Sequence, residues 1–130
     1  MNLLVLGSKG FIGSNAVKYF ISRGHNVYGA DIVLKQAKGY IIINPERSDF
    51  STIFIQHKFD ACINATGAAN VQLSFAHPSV DYVLNTANVF EILNSIKEHS
   101  PACKFINLSS AAVYGNAVQL PIKEDTPLRP

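Results

Sequence analysis

Cysteine occurs only twice in this chain, at Cys62 and Cys103, too few for a disulfide framework and without the spacing of metal ligands. Both lie in or beside apolar, strand-like runs and read as reduced core thiols. Charged residues make up only 15%, and a net charge of +2 is spread along the chain. No basic block exists to hold nucleic acid or an anionic membrane surface. No apolar run approaches the ~20 residues of a membrane helix, and Met1 leads into a strand-like segment rather than a charged leader. The expected location is therefore cytoplasmic. Internal repeats and low-complexity segments are absent as well. What remains is a chain of 130 residues, 48% of them apolar, which suits one folded domain and excludes a disordered polymer.

Apolar runs alternate with amphipathic ones from the start. Leu3-Leu4-Val5-Leu6 is continuously apolar and stops at Gly7, as a strand buried on both faces does. Ile12, Ala16, Val17, Phe20 and Ile21 follow at helical spacing, and Arg23-Gly24 ends the run. Further strands are expected at Val27–Ala30, Tyr40–Ile43 (closed by Asn44-Pro45), Ala61–Ala65 and Phe105–Leu108. Helices are expected from Phe50 to His57 and from about Pro78 to His99, the second preceded by a turn at Gln72–Ala76. On the long helix, Val80, Val83, Leu84 and Ala87 share one face; Val89, Ile92, Leu93 and Ile96 share the other with Asn85. Strands alternating with helices predict an α/β doubly wound parallel sheet, about five strands in the order 3-2-1-4-5. Residues 1–115 form that domain, and 116–130, carrying Pro121, Pro127 and Pro130, read as a loop leading away from it.

The first strand and the first helix are joined by Gly7-Ser8-Lys9-Gly10-Phe11-Ile12-Gly13. Gly7 allows a tight turn, Gly10 lets backbone N–H groups approach a pyrophosphate, and Gly13 lets helix and strand lie close. The helix N-terminus supplies unpaired donors and a positive partial charge. Three glycines alone say little; between a buried strand and an amphipathic helix they specify a dinucleotide site. Gly7, Lys9, Gly10, Phe11, Ile12 and Gly13 are the candidate contacts there. Asp31, 18 residues beyond Gly13 at the end of the second strand, is placed to accept hydrogen bonds from an adenosine ribose, with Ile32 beside it. Its carboxylate repels a 2′-phosphate and so favours NAD over NADP, whereas Lys9 pulls the other way.

These features resemble the extended short-chain dehydrogenase/reductase family, the NAD-dependent sugar-nucleotide epimerases and dehydratases. Gly7-x-x-Gly10-x-x-Gly13 is similar to that family's glycine spacing. Asp60-Ala61-Cys62-Ile63-Asn64-Ala65-Thr66-Gly67 resembles its fourth strand, Val71-Gln72-Leu73-Ser74-Phe75-Ala76-His77-Pro78 with Asn85 its helical asparagine segment, and Phe105 to Gly115 the stretch bearing its serine. Pro121 to Pro127 resembles the acidic, proline-containing loop that follows. The resemblance implies that Asn64, Ala65, Thr66 and Ser109 line the cofactor. It also implies that Ser110 is the catalytic serine, and that Val113 and Tyr114 shape the substrate side. Asn85 is implied to tie its buried helix to the neighbouring strand backbone. A nucleotide-sugar substrate, redox epimerase chemistry and a homodimer joined through the 78–99 helix are implied in the same way. No metal is.

The sequence also departs from that pattern. Asn88-Val89 stands where the family often has Gly-Thr, and Ala111-Ala112 where the 4,6-dehydratases carry Asp-Glu. An acid meeting the adenine is not evident; Asn44 is the nearest candidate. The family's Tyr-x-x-x-Lys pair is missing, because Tyr19, Tyr28, Tyr40, Tyr82 and Tyr114 have Arg23, Ile32, Asn44, Thr86 and Val118 four positions on. Turnover is therefore not expected from these 130 residues alone, which read as the N-terminal part of such an enzyme. A non-catalytic NAD-sensing or interaction module and a reductase of a non-sugar carbonyl or alcohol remain the alternatives.

Overall fold

A computed structural model describes residues 1–34, 36–44, 49–68, 70–117 and 119–130. Five strands, β1 (Asn2–Leu6), β2 (Asn26–Asp31), β3 (Tyr40–Ile42), β4 (Ala61–Asn64) and β5 (Lys104–Asn107), form one parallel sheet in the order β3-β2-β1-β4-β5. That is the expected order. β1 is central, with Leu3 paired to Val27 on one side and Ala61 on the other, and Leu3–Leu6 are buried. Its uninterrupted apolar run is the signature of a strand covered on both faces. Pro45, expected to close β3, lies outside the described residues.

Leu4 and Leu6 join Phe54, Cys62, Ile92 and Ile96 in the main core, where α2 (Ser51–Gln56) and α5 (Asn88–His99) pack together against the sheet. Leu3 and Val5 alternate to the opposite face, the side covered by α1 (Phe11–Ser22). Arg23-Gly24 stops α1 as expected. Gly24, at φ +79°, donates its N–H to Ile21, and His25 donates to Phe20, a Schellman closure. Ile12 and Ile21 of the apolar stripe are nevertheless exposed, and α1 is fully buried only at Gly13, with Ala16, Val17 and Phe20 half-buried.

The second half departs further from expectation. Residues expected to form only a turn make a short helix, α3 (Val71–Ala76), capped by the Asn70 side chain accepting from Leu73 N. The long helix is divided: α4 (Pro78–Tyr82), a π-helical turn (Val83–Ala87), then α5. Its core face is Asn88, Ile92, Ser95 and Ile96, while Leu93 is 43% exposed. Hydrophobicity misses Ser95, whose small side chain lets α2 approach: its Oγ lies 3.2 Å from Ser51 Oγ and donates to Glu91 O. The i→i+5 turn also spreads Leu84 and Asn85 along one wall, so Leu84 leaves the outer face. Near the end of the described residues the chain passes back beside Val113 and Gly115. Arg129 N donates to Val113 O at 2.9 Å, and the carbonyl of Arg129 lies where a Cβ on Gly115 would be.

Candidate functional site

Every feature expected of the site lies at the carboxyl end of the sheet, where ligands of open α/β sheets bind. At its β1–β2 side, backbone atoms set the geometry. Gly7 N and Ser8 N donate to Ala30 O at 2.8 and 3.1 Å, stitching the loop to the end of β2. Asp31, 8% exposed, accepts from Lys9 N at 2.7 Å through Oδ2 and from Ile32 N at 2.8 Å through Oδ1. The acid is thus oriented by the loop it serves. Lys9 extends its ammonium over the Tyr40 ring, 4.6 Å from the centroid, and Tyr40 donates its hydroxyl to Val33 O. Burial and the nearby Asp31 raise the Tyr40 hydroxyl above its ordinary pKa, so it stays protonated.

The three glycines are not equivalent. Gly7 sits at φ +74°, and a Cβ there would lie 2.5 Å from Ala65 O. A Cβ on Gly13 would run into the Gly7 carbonyl. Both are required by the chain's own packing. Gly10 has ordinary extended angles (φ −69°, ψ 171°), and its Cβ would meet only Gly7 O, at 3.3 Å. Its bareness instead leaves room in front of α1. That helix start has no side-chain cap and no acid in its first turn, so the N–H groups of Phe11, Ile12 and Gly13 keep their capacity for an anion. Phe11 is 86% exposed beside them. Phosphate groups fit this arrangement, and the oriented carboxylate of Asp31 suits an adjoining ribose. The residues present fit a dinucleotide.

Beyond the loop, an open cleft of about 600 Å³ lies at the ends of β4 and β5. It brings together Ile12, Asn64, Ala65, Thr66, Ser109, Ser110 and Val113, expected from sequence, and leaves Tyr114 in an adjoining hollow with Lys123 and Arg129. Asn64 spans the floor: Nδ2 donates to Asn107 Oδ1 at 2.8 Å, and Oδ1 accepts from Thr66 N and Oγ1. Ser110 caps the 3-10 turn Ala111–Tyr114, its Oγ accepting from Ala112 N at 3.2 Å, which leaves the hydroxyl proton available. Asn85, expected to be a buried asparagine of its helix, stands exposed on the cleft wall. It holds both backbone groups of Ala68, accepting from N at 2.9 Å and donating to O at 3.2 Å, so it grips the loop after β4 rather than a strand. Sequence reasoning missed Asp81, which lines the same cleft; its signal is its place one helical turn before Asn85. Asn44 lines a separate hollow with Asp49 and Gln56.

Cys62 and Cys103 are free and buried; burial pushes both thiols up, reinforced by Cys103 at Cys62 and by Asp60 at Cys103, which disfavours the reactive thiolate. Among the described residues no group of His, Cys, Asp and Glu is placed to hold a metal ion, and no helix is long and apolar enough to cross a membrane.

Residues 3–130 match the NAD dependent epimerase/dehydratase family. A UDP-glucose 4-epimerase from Halalkalibacterium halodurans is 31% identical over all of this chain and 41% of its own length. A CDP-paratose 2-epimerase from Salmonella typhi is 22% identical over 95% of this chain and 41% of its own. Among solved structures, the UDP-glucose 4-epimerase of Bifidobacterium longum in complex with NAD+ and UDP superposes with a TM-score of 0.86, at 25% identity over 99% of this chain and 43% of that one. The chain thus spans about two fifths of the length of the curated relatives it matches. It belongs to the NAD-dependent epimerase/dehydratase family, whose cofactor is NAD.

Proposed function

We propose that this chain is the NAD-binding portion of a cytoplasmic nucleotide-sugar epimerase. The observation that carries the reading is the pairing of Gly10, which packing constrains only through a 3.3 Å approach to Gly7 O, with a loop-oriented acid, Asp31. Gly7, Gly10, Gly13 and the first-turn N–H groups at Phe11 and Ile12 take the pyrophosphate, and Asp31 with Ile32 takes the adenosine ribose. Asn64, Ala65, Thr66 and Ser109 line the path of the second half of the cofactor. Bound there, NAD supplies a hydride acceptor that returns the hydride to the same sugar. Ser110 hydrogen-bonds the reacting sugar oxygen through its hydroxyl and keeps its proton, and Val113 with Tyr114 forms the sugar-side wall. The match to relatives named for UDP-glucose and CDP-paratose supports the nucleotide-sugar class without choosing a base or sugar.

Residues 1–115 are the cofactor domain and 116–130 the strap that returns across Gly115. The half-exposed apolar residues Val80, Val83 and Phe90 on the outer side of the split helix support a homodimer. The 130-residue polypeptide by itself binds NAD but turns nothing over, since no Tyr-x-x-x-Lys pair is among its residues and general-base catalysis contributes ~10²–10⁴-fold. The test is a panel of UDP- and CDP-sugars with the full-length protein and with this polypeptide, following epimer formation. Epimerisation by the first only is the expected result. Conversion of none by either, or net NADH release from a non-sugar alcohol, contradicts the reading.

A further inference from the structure

The cleft beyond the glycine loop carries almost no charge. Among the described residues lining it, Asp81 alone is ionisable; the others are apolar or, like Asn64, Asn85 and Ser110, neutral. Asp81 is half-buried in α4, and Asn85 Nδ2 donates to its Oδ1 at 3.0 Å. The same asparagine grips Ala68 through both backbone groups, so the carboxylate is tied to the loop after β4. Its partner is neutral, and among the described residues no lysine, arginine or histidine forms an ion pair with it.

A dinucleotide lies across the point where strand order reverses. Asp31 at the end of β2 marks the adenosine side, so the nicotinamide half extends over β4 and β5, into the cleft that Asp81 lines. The nicotinamide ring carries a positive charge when oxidised and none when reduced. An uncompensated carboxylate between low-dielectric walls attracts the cationic form and is indifferent to the neutral one. Resting on the cofactor reading above, we infer that Asp81 is a selectivity residue that makes the site hold NAD+ more tightly than NADH. Retention of the oxidised form would keep the enzyme ready to accept a hydride at the start of each cycle.

The test measures dissociation constants of the full-length protein for NAD+ and NADH, without substrate, in wild type, Asp81→Asn and Asp81→Glu. Asp81→Asn keeps an oxygen for Asn85 and removes only the charge; Asp81→Glu keeps the charge. Asp81→Asn is expected to shift the preference toward NADH by about 3- to 30-fold, and Asp81→Glu to hold the wild-type ratio within about twofold, as one unit charge in a partly screened cleft requires. An unchanged ratio in Asp81→Asn, with both forms still bound, overturns the inference and leaves the cofactor site standing. A wild-type protein that binds neither form overturns both.

Discussion

The two sides of the site are held by different means. At the β1–β2 side the main chain does the holding: Gly7, Ser8 and Lys9 donate backbone N–H groups to Ala30 and Asp31, and two glycines are fixed by direct contact with carbonyls. At the β4–β5 side the work passes to side chains: Asn64 bridges to Asn107, Asn85 grips Ala68, and Ser110 caps its own turn. β5 itself is the sheet's open edge, with three of its four residues exposed. Backbone-defined geometry depends on which positions lack a Cβ and shows in the spacing of glycines. Side-chain-defined geometry depends largely on pairs distant in sequence, such as Asn64 with Asn107 and Asn85 with Ala68.

The contrast is broken most severely at Gly13. Gly13→Ala places a Cβ against the Gly7 carbonyl and is expected to cost about 3 kcal/mol or more, or to prevent folding, as read by urea denaturation. Gly10→Ala is expected to change stability by less than about 1 kcal/mol yet weaken NAD about tenfold or more, because the methyl group enters the space left for phosphate. Equal stability losses at the two positions would erase the distinction between a packing glycine and a ligand glycine.

On the side-chain side, Ser110→Ala in the full-length protein is expected to lower kcat about 10²- to 10³-fold, the usual cost of one lost oxygen-directed donor. Its stability cost should stay near 1 kcal/mol, the worth of a cap, and NAD affinity should not move. Loss of NAD binding instead would make Ser110 a support for the cofactor and not a partner of the substrate.

This contrast also marks what the sequence disclosed. The buried run Leu3–Leu6, the stop at Gly24, the strand order, the glycine loop and Asp31 all follow from local pattern and occur in the structure. The division of the 78–99 helix did not follow, because a π turn leaves no compositional mark and Asn88 and Ser95 are polar residues buried by packing. The return of the strap to Val113 rests on one backbone hydrogen bond that no side chain announces. Asp81 carries no local signal of its own, since its place on the cleft wall shows only with its hydrogen bond from Asn85. Tyr114 and Val113 are adjacent in sequence yet face different hollows, as neighbours on a tight turn do.

Smaller effects sharpen the account. Ser8 turns its hydroxyl inward, within 2.8 Å of where a Cβ on Gly29 would sit, and this buried oxygen has no hydrogen-bond partner among the described residues. Ser8→Ala is therefore expected to raise stability by about 1 kcal/mol in thermal or urea melts, since it removes an unsatisfied buried group. A loss of similar size would show that the hydroxyl is bonded. The thiols of Cys62 and Cys103 supply a pH test. Their pKa values are raised in the folded chain, so they stay protonated where the unfolded chain ionises, and stability is expected to fall as pH climbs past the ordinary thiol value. The Cys62→Ala, Cys103→Ala double variant should flatten that decline, and an unaltered slope would assign it elsewhere.

The central claim is that the β1–β2 side holds NAD through a loop-oriented Asp31. Calorimetric titration of NAD and NADP into wild type and Asp31→Ala addresses it most directly. The account predicts NAD several-fold tighter than NADP in wild type, and about 1–3 kcal/mol of NAD affinity lost in Asp31→Ala, as for a charged hydrogen bond. NADP binding as tight as NAD, or an Asp31→Ala variant that binds NAD unchanged, would contradict it and transfer the selecting role to Lys9, poised over Tyr40.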